Sequence, residues 1–509
     1  MKYGISNYKA NMFCLWKKNR KLVLSSAICM LLIHMVKFTN CLYNWDSVLM
    51  GIDLAYSDMR PMGRWFAAPI SIFLSTHYDL QWVEGVICCL FFGISMAVLF
   101  SIIQVRNNAF KLISIFLMAS FPPITATLTY LFWAPAYMFS FMIAMIALYL
   151  MIYNTTKKSI LISSFLICFS LSIYQVYFTA ALVCFLIWII KNIFYQDIRN
   201  TNQLLQVVRR VLFGMLGGVS LYAVITKIIF MLTNTVYTDY QGISTAGQMS
   251  LQDLIKGAYY SIKQCGKFFL GTSDVTLYGV FNIFFLLVLI YTLFQKVLMN
   301  KQLKIKSKFI IIFLICLIFP ITYIFYFVSK TTYYHMLMQI GMYFVYLLII
   351  VFNDSEEKFD LPVQKMAGII LLFLAAYNTL NANTAYKQME ISNNRTQFEI
   401  ETILNQIDKL GYTSNGRIVL VGLFSEADMR EDSIKAIPSI TGASTNNFIM
   451  GTTRFVYYTN YYYNRNFTVL SNEEVLEISN KTEVKNMPSF PSEGYIKQIN
   501  DVIVVKLPN

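Results

Sequence analysis

Charge is what this sequence has least of. Asp, Glu, Lys and Arg make up 13% of its 509 residues, where a soluble globular chain carries about 25%. That shortage excludes an ordinary soluble domain, and it is uneven along the chain. Apolar runs of about 20 residues, long enough to cross a hydrocarbon core, recur from Leu22 to Leu380 and then stop. Histidine is nearly missing, with three in all. No Cys/His pair has the spacing that holds zinc, so no metal site is expected. A cleavable leader is lacking too. Lys17, Lys18, Arg20 and Lys21 run into the first apolar stretch without a small-residue cleavage site, so that span is expected to stay. No internal repeat is evident, which argues against the inverted-repeat transporter folds.

What charge there is has one dominant sign, a net of +14. The basic residues sit in short loops between apolar runs, with no aromatic-lined soluble surface beside them. That is the positive-inside pattern of a membrane protein, and no nucleic-acid partner is expected. Six of the nine cysteines, Cys29, Cys88, Cys89, Cys168, Cys184 and Cys316, lie inside apolar runs, where a lone Cys is a small hydrophobe. Only Cys41 and Cys265 stand where an oxidising compartment could pair them.

Loop charges orient the chain. Lys17 to Lys21 hold the amino end in the cytoplasm, so a span at 22–39 leads outward to a polar segment, 40–66. The chain returns at 82–103 to Arg106 and Lys111, goes out at 112–121, breaks at Pro122-Pro123 and comes back at 135–153 to Lys157-Lys158. Residues 159–190 read as a hairpin with short arms, whose tip Tyr174-Gln175 lies below the outer surface in a protein-lined cavity. Further spans at 211–231, 278–295, 309–328, 336–352 and 366–380 make eleven. The odd number leaves everything from 381 onward outside. The expected architecture is an all-α polytopic transmembrane domain, 1–380, with outer loops 40–66 and 232–277, and a small α/β domain, 381–509.

In that tail, 384–410 reads as an amphipathic helix with Phe398, Ile400, Ile403, Leu404, Ile407 and Leu410 apolar and Gly411 as its stop. Arg417 to Val421 has the pattern of a buried strand, and Ile499 to Leu507 that of a terminal hairpin or edge strand. In loop 232–277 the stripe Leu251, Leu254, Ile255, Ala258, Tyr259, Ile262 and Phe269 suits a helix on the membrane interface, with Lys256, Lys263 and Lys267 on its wet side.

The chemistry concentrates in the first outer loop: Tyr43-Asn44-Trp45-Asp46-Ser47, then Asp53, then Asp58-Met59-Arg60-Pro61-Met62-Gly63-Arg64-Trp65-Phe66. Carboxylates and two arginines beside a membrane fit transfer of a sugar carried on a polyprenyl phosphate. A guanidinium neutralises the departing phosphate through parallel hydrogen bonds, and a carboxylate takes the proton of the attacking hydroxyl. Pro61 suits the first turn of a helix, which would put Arg64 near a helix amino end. The same residue types also make surface salt bridges, and Asp53 and Asp58 read equally as solvated loop acids. Four other groups carry two readings each. Tyr174 and Gln175 line a sugar cavity or form a polar turn. Lys330, Tyr333, Tyr334 and His335 hold a lipid phosphate or form an aromatic belt with a snorkelling lysine. The aromatic run Phe455 to Tyr463 stacks on sugars or fills a core. His34 and Lys37, costly in lipid, face the protein or the interface.

Several motifs, in order along most of the chain, resemble one family. Asn44-Trp45-Asp46 followed by Gly63-Arg64-Trp65 is similar to the first-loop pattern of the phage serotype-converting, type II O-antigen glucosyltransferases. Ser172-Ile173-Tyr174-Gln175 resembles that family's hairpin tip. Tyr377-Asn378 through Asn383-Thr384-Ala385-Tyr386 to Ile403 and Ile407 resembles its last span and following helix. Met487-Pro488-Ser489-Phe490-Pro491, with Gly494 and Val502 to Leu507, resembles its ending. The resemblance implies a membrane glycosyltransferase of the polytopic C-type fold in the bacterial inner membrane. It implies inverting transfer of glucose from undecaprenyl-phosphate-glucose to an O-antigen repeat on the periplasmic face. It implies no other cofactor, and functional coupling to a lipid-sugar flippase and a donor-forming transferase. The family's catalytic base carries onto Asp46, with Arg64, and Arg60 beside it, on the phosphate. The family often has two acids where this chain has Asp46-Ser47, and Asp53 is the substitute base.

Two rivals remain at the level of sequence. An O-antigen polymerase predicts longer polysaccharide chains rather than a side-branch sugar. A lipid-linked-sugar flippase or transporter predicts function without a first-loop carboxylate and gives no role to a folded tail.

Overall fold

The computed structural model describes residues 12–50, 59–75, 80–196, 201–271, 276–354, 362–412, 415–424, 439–449 and 451–508. Asp53 and Asp58 lie outside them. Contacts divide the chain into two compact units. One comprises Met1–Thr39, Tyr56–Asn383 and Ile434–Thr441; the other comprises Asn40–Ala55, Thr384–Ser433 and Gly442–Asn509.

The first unit is a helical membrane body. Among the described residues, nine helices are long and apolar enough to cross a membrane: Asn19–Thr39, Gln81–Ile103, Ala134–Tyr153, Val176–Phe194, Thr201–Thr233, Leu277–Leu298, Ile305–Thr322, Met336–Asn353 and Pro362–Lys409. Asn108–Ala119 and Pro122–Thr129, bent by 41°, make a tenth if counted as one span. The bend has a local cause. Phe121 is extended and Pro122-Pro123 occupy the first turn of the new helix, where a missing N–H costs nothing. The first arm of the expected hairpin is the helix Lys157–Ile173, only 17 residues long. Tyr174 then turns extended before Val176–Phe194 begins.

Val176–Phe194 and Met336–Asn353 are the central helices, with 83% and 94% of an apolar 18-residue stretch buried, whereas only 17% of such a stretch is buried in Thr201–Thr233 and in Ile305–Thr322. Buried charges in this body answer backbone groups at helix ends. Lys191 Nζ donates to the carbonyls of Ile103 and Gln104, at 2.7 and 2.8 Å. The Asp354 carboxylate accepts from the Arg106 and Asn107 amides just ahead of Asn108–Ala119. These are the orphan carbonyls and amides that every helix end leaves. His34 is fully buried with Nε2 2.8 Å from the Ala119 carbonyl oxygen, and Lys37 is buried too, so both face the protein.

The helix expected in 232–277 is Leu251–Leu270, started by a reciprocal Ser250/Asp253 capping box. Its Gly257, Ser261 and Phe268 are buried, while Leu251, Ile255, Tyr259 and Ile262 are exposed. A side chain at Gly257 would run into the Tyr326 carbonyl.

Pro362–Lys409 is a single 48-residue helix. Hydropathy alone separates a span ending near 380 from an amphipathic helix starting at 384, but no Gly or Pro interrupts the backbone ladder between them. Gly411, with φ 73°, ends it, as the Tyr412 amide reaches back to the Ile407 carbonyl.

The second unit is a small α/β domain. Its sheet has the order β2-β1-β4-β3, from β1 (Arg417–Val421), β2 (Thr468–Val469), β3 (Ile496–Ile499) and β4 (Val502–Lys506). β1 lies parallel to β2 and to β4, with Arg417 opposite Val502. β3 and β4 form the expected hairpin, Ile499 opposite Val502, and Asn500 supplies the positive φ of its two-residue turn. β4 is therefore a central strand and not an edge. Ile400, Ile403, Leu404 and Ile407 pack on Ile418, Leu420, Ile503 and Val505, while Phe398 stays exposed.

Candidate active site

In the first unit, segment 59–66 is shaped by its backbone before its side chains act. Arg60–Met62 is one turn of 3-10 helix holding Pro61, and Gly63 ends it in the left-handed region at φ 72°. A β-carbon there would collide with the Tyr222 hydroxyl, which itself donates to the Gly63 carbonyl at 3.2 Å. Glycine is thus required twice, by conformation and by approach. Pro61 therefore opens only a three-residue turn; the helix whose amino end Arg64 approaches is the next one, Ala67–Ser75. Trp65 Nε1 donates to Thr226 Oγ1 at 3.0 Å, and the Phe66 amide donates to the Ser172 carbonyl at 3.1 Å. Gly63 and Trp65 pin the segment to Thr201–Thr233 and Phe66 pins it to Lys157–Ile173, and the arginine between Gly63 and Trp65 is presented.

Arg64 meets the hairpin tip. Its Nε donates to Gln175 Oε1 at 3.2 Å, and its guanidinium lies 4.6 Å from the centroid of the Tyr174 ring. Gln175 Nε2 in turn donates to the Met62 carbonyl at 3.0 Å and to the Tyr222 hydroxyl at 3.3 Å. Tyr174 is buried and stacks on Tyr137 with centroids 4.5 Å apart. The guanidinium is thus held by a neutral amide and a ring face. No carboxylate pairs with Arg64 among the described residues. A cation so oriented, with no carboxylate on it among the described residues, is suited to an external anion.

Two further segments close around it. The Thr238 amide donates to the Pro61 carbonyl, and the Gln241 carbonyl accepts from Ser329 Oγ at 2.6 Å and Thr332 Oγ1 at 3.2 Å. This ties 238–245 to both 59–66 and 329–335. The Tyr240 hydroxyl is 3.5 Å from His335 Nε2, and His335 stands edge-on to Tyr333. Burial, and then the positive charge of Arg64, hold the His335 imidazole below its ordinary value, so it is neutral near pH 7. Tyr333 is half-exposed. Tyr334 turns inward, where its hydroxyl accepts from the Phe325 amide at 2.9 Å and its ring packs on Tyr323 and Tyr326. Lys330 pairs with Asp253 at 3.4 Å. Arg60 is partly exposed and its side chain makes no ion pair among the described residues.

Asp46 belongs to the second unit. Asn44 organises its turn: Asn44 Oδ1 accepts from the amides of Asp46 and Ser47, each at 3.1 Å, and from Ser47 Oγ at 2.9 Å. This Asx-type turn starts the short helix Ser47–Met50. Ser47 completes the turn. Asp46 Oδ1 lies 3.6 Å from Arg454 Nη2, and Arg454 Nε also donates to the Trp45 carbonyl. Burial raises the Asp46 carboxyl above the usual carboxylate range, and Arg454 opposes that rise. The aromatic run 455–463 divides: Phe455 and Tyr458 are buried in the core, while Tyr461 and Tyr462 are half-exposed.

The structure thus brings Arg64, Tyr174, Gln175 and His335 together in the first unit, and places Asp46 with Arg454 in the second. Sequence reasoning missed Tyr222, Tyr240 and Arg454. Tyr222 is one tyrosine in an apolar span, and Arg454 is 409 residues beyond its acceptor Trp45, so neither carries a local signal. Among the described residues no three His, Cys, Asp or Glu side chains gather as a metal-binding group.

Residues 35–352 match the Glucosyl transferase GtrII family, a stretch that includes Asp46, Arg64, the Tyr174-Gln175 tip and His335. No curated protein and no solved structure matches the chain. The match covers more than half of the sequence, and with the apolar helices it identifies the chain as a membrane protein of the GtrII glucosyl transferase family.

Proposed function

We propose that this glucosyltransferase moves glucose from undecaprenyl-phosphate-glucose to a hydroxyl of an O-antigen repeat on the periplasmic face of the bacterial inner membrane. In this reading the amino end is cytoplasmic and the carboxyl-terminal α/β domain periplasmic. The observation that carries it is Arg64, a guanidinium aimed by Gln175 and Tyr174 and paired with no carboxylate among the described residues. A polyprenyl phosphate needs such a group as it leaves. Neutral His335, Tyr240 and Tyr333 add hydrogen-bonding atoms beside it, and Lys330 can exchange Asp253 for a lipid phosphate.

The transfer is a single displacement. The acceptor oxygen bonds to the anomeric carbon as the bond from that carbon to the phosphate oxygen breaks, and the electron pair leaves on undecaprenyl phosphate. The hydroxyl proton passes to Asp46, whose raised pKa suits it to accept a proton. One displacement inverts the anomeric configuration. No other cofactor enters, and a lipid-sugar flippase and a donor-forming transferase would supply the donor.

The test is Asp46→Asn in the full chain. The variant should insert normally and lose transfer, read as the mass and linkage of the O-antigen repeat with and without the protein. Full glucosylation by Asp46→Asn would remove Asp46 from the role of base.

A further inference from the structure

The second unit carries an exposed row of tyrosines that continues from the turn holding Asp46. On the helix Thr452–Tyr462, positions 454, 458 and 461 share one face, so Arg454 and the tyrosines stand in line. Tyr462 lies 4.7 Å from Tyr458, 4.8 Å from Tyr461 and 5.9 Å from Tyr43 between ring centroids, and the Tyr43 and Tyr462 hydroxyls are hydrogen-bonded. Tyr43 is fixed from behind: its amide donates to Asn393 Oδ1 and its carbonyl accepts from Asn393 Nδ2, both at 2.9 Å. Tyr458 anchors the row in the core, while Tyr461 and Tyr462 remain 50% and 49% exposed.

Half of each outer ring faces solvent, yet the row contains no Leu, Ile or Val, the residues of an ordinary hydrophobic contact. Its margin is polar, with exposed Thr453 and Asn464 and the Tyr463 hydroxyl donating to Glu401. Rigid rings edged by hydroxyls, amides and acids fit a ligand that alternates apolar C–H faces with hydroxyl rims, which is the chemistry of a carbohydrate. The row also ends where Arg454 holds Asp46.

We propose that Tyr43, Tyr461 and Tyr462 form the acceptor-glycan site of the enzyme, a platform on which pyranose rings stack so that a hydroxyl reaches Asp46. This rests on the glucosyl-transfer reading only for the identity of the glycan as acceptor. Tyr461 and Tyr462 lie outside the stretch that matches the family, whereas Tyr43 lies within it.

The test uses the full chain in lipid nanodiscs. The probe is O-polysaccharide released by mild acid from the strain in which the protein acts, and binding is read by saturation-transfer NMR. Tyr461→Ala/Tyr462→Ala should abolish the transfer signal and raise the acceptor KM by about tenfold with the donor KM unchanged. Tyr461→Phe/Tyr462→Phe, which keeps the rings, should recover most of the binding. Tyr461→Ala alone removes an exposed ring and replaces the double variant if that fails to fold. Equal binding by wild type and the alanine variant, or no binding by wild type, would overturn the platform even if glucosyl transfer persists. Binding that depends on the tyrosines in a protein without transfer activity would keep the platform and remove the enzymatic reading instead.

Discussion

Removing Arg454 should move the acid limb of the pH–rate profile upward, because Arg454 is the cation that offsets the burial of Asp46. The two charged atoms are 3.6 Å apart. At that distance Coulomb's law gives about 1 kcal/mol in bulk water and about 4–5 kcal/mol at an effective dielectric constant of 20. The Asp46 side chain is 35% exposed and that of Arg454 23%, so solvent and salt screen the pair. About 1–1.5 kcal/mol survives that discount, equivalent to about one pH unit. The sign follows from the role. A base works as the carboxylate, so activity falls as pH drops through its pKa. Burial raises that pKa and Arg454 lowers it, so Arg454→Ala should shift the acid limb up by about one unit. The plateau should fall as well, since the bond from Arg454 Nε to the Trp45 carbonyl is lost. Arg454→Lys keeps the charge and should return the limb most of the way without restoring the plateau. Initial rates in membrane vesicles with labelled polyprenyl-phosphate-glucose measure both. An Arg454→Ala limb that overlays the wild type, in a protein where Asp46→Asn is dead, would refute the argument that this pair sets the base.

Arg64→Lys should lower kcat/KM about 100-fold, nearly as much as Arg64→Ala, because an ammonium cannot both stack on Tyr174 and offer two parallel donors; steady-state kinetics with the lipid-linked donor decide it. Gly63→Ala should destabilise the membrane body by about 1–3 kcal/mol, and Tyr222→Phe should recover part of that loss by removing the hydroxyl the new methyl meets, a coupling visible in a double-mutant cycle of thermal unfolding in detergent. In the tail, Arg465 grips Asp408 with two bonds of 2.8 and 2.7 Å and holds its carboxyl below the usual range. That stabilisation, about 0.5 kcal/mol for so exposed a pair, is complete above about pH 4 and is lost as pH falls through the lowered pKa. Asp408→Asn should therefore melt earlier at neutral pH and show less acid sensitivity, as followed by circular dichroism.

Local patterns along the chain were enough to mark the apolar, mostly helical body, though eleven spans were expected and nine helices, or ten with the bent pair, are long and apolar enough among the described residues. They also marked the stop at Gly411, β1 and the hairpin through Asn500, because each depends on hydropathy over one turn, on an N–H or on a φ that only certain residues adopt. The same patterns singled out Asp46, Arg64, Tyr174 and Gln175, since a membrane loop concentrates the few polar groups the chain has. Only the tertiary structure decided what these residues touch. That Arg64 rests on Tyr174 and Gln175, that Tyr222 dictates glycine at position 63, and that Arg454 rather than a loop residue faces Asp46 are contacts between segments with no shared period. The continuity of Pro362–Lys409 belongs to the same class. Hydropathy reports where side chains change solvent, whereas a helix ends only where its backbone hydrogen bonds do.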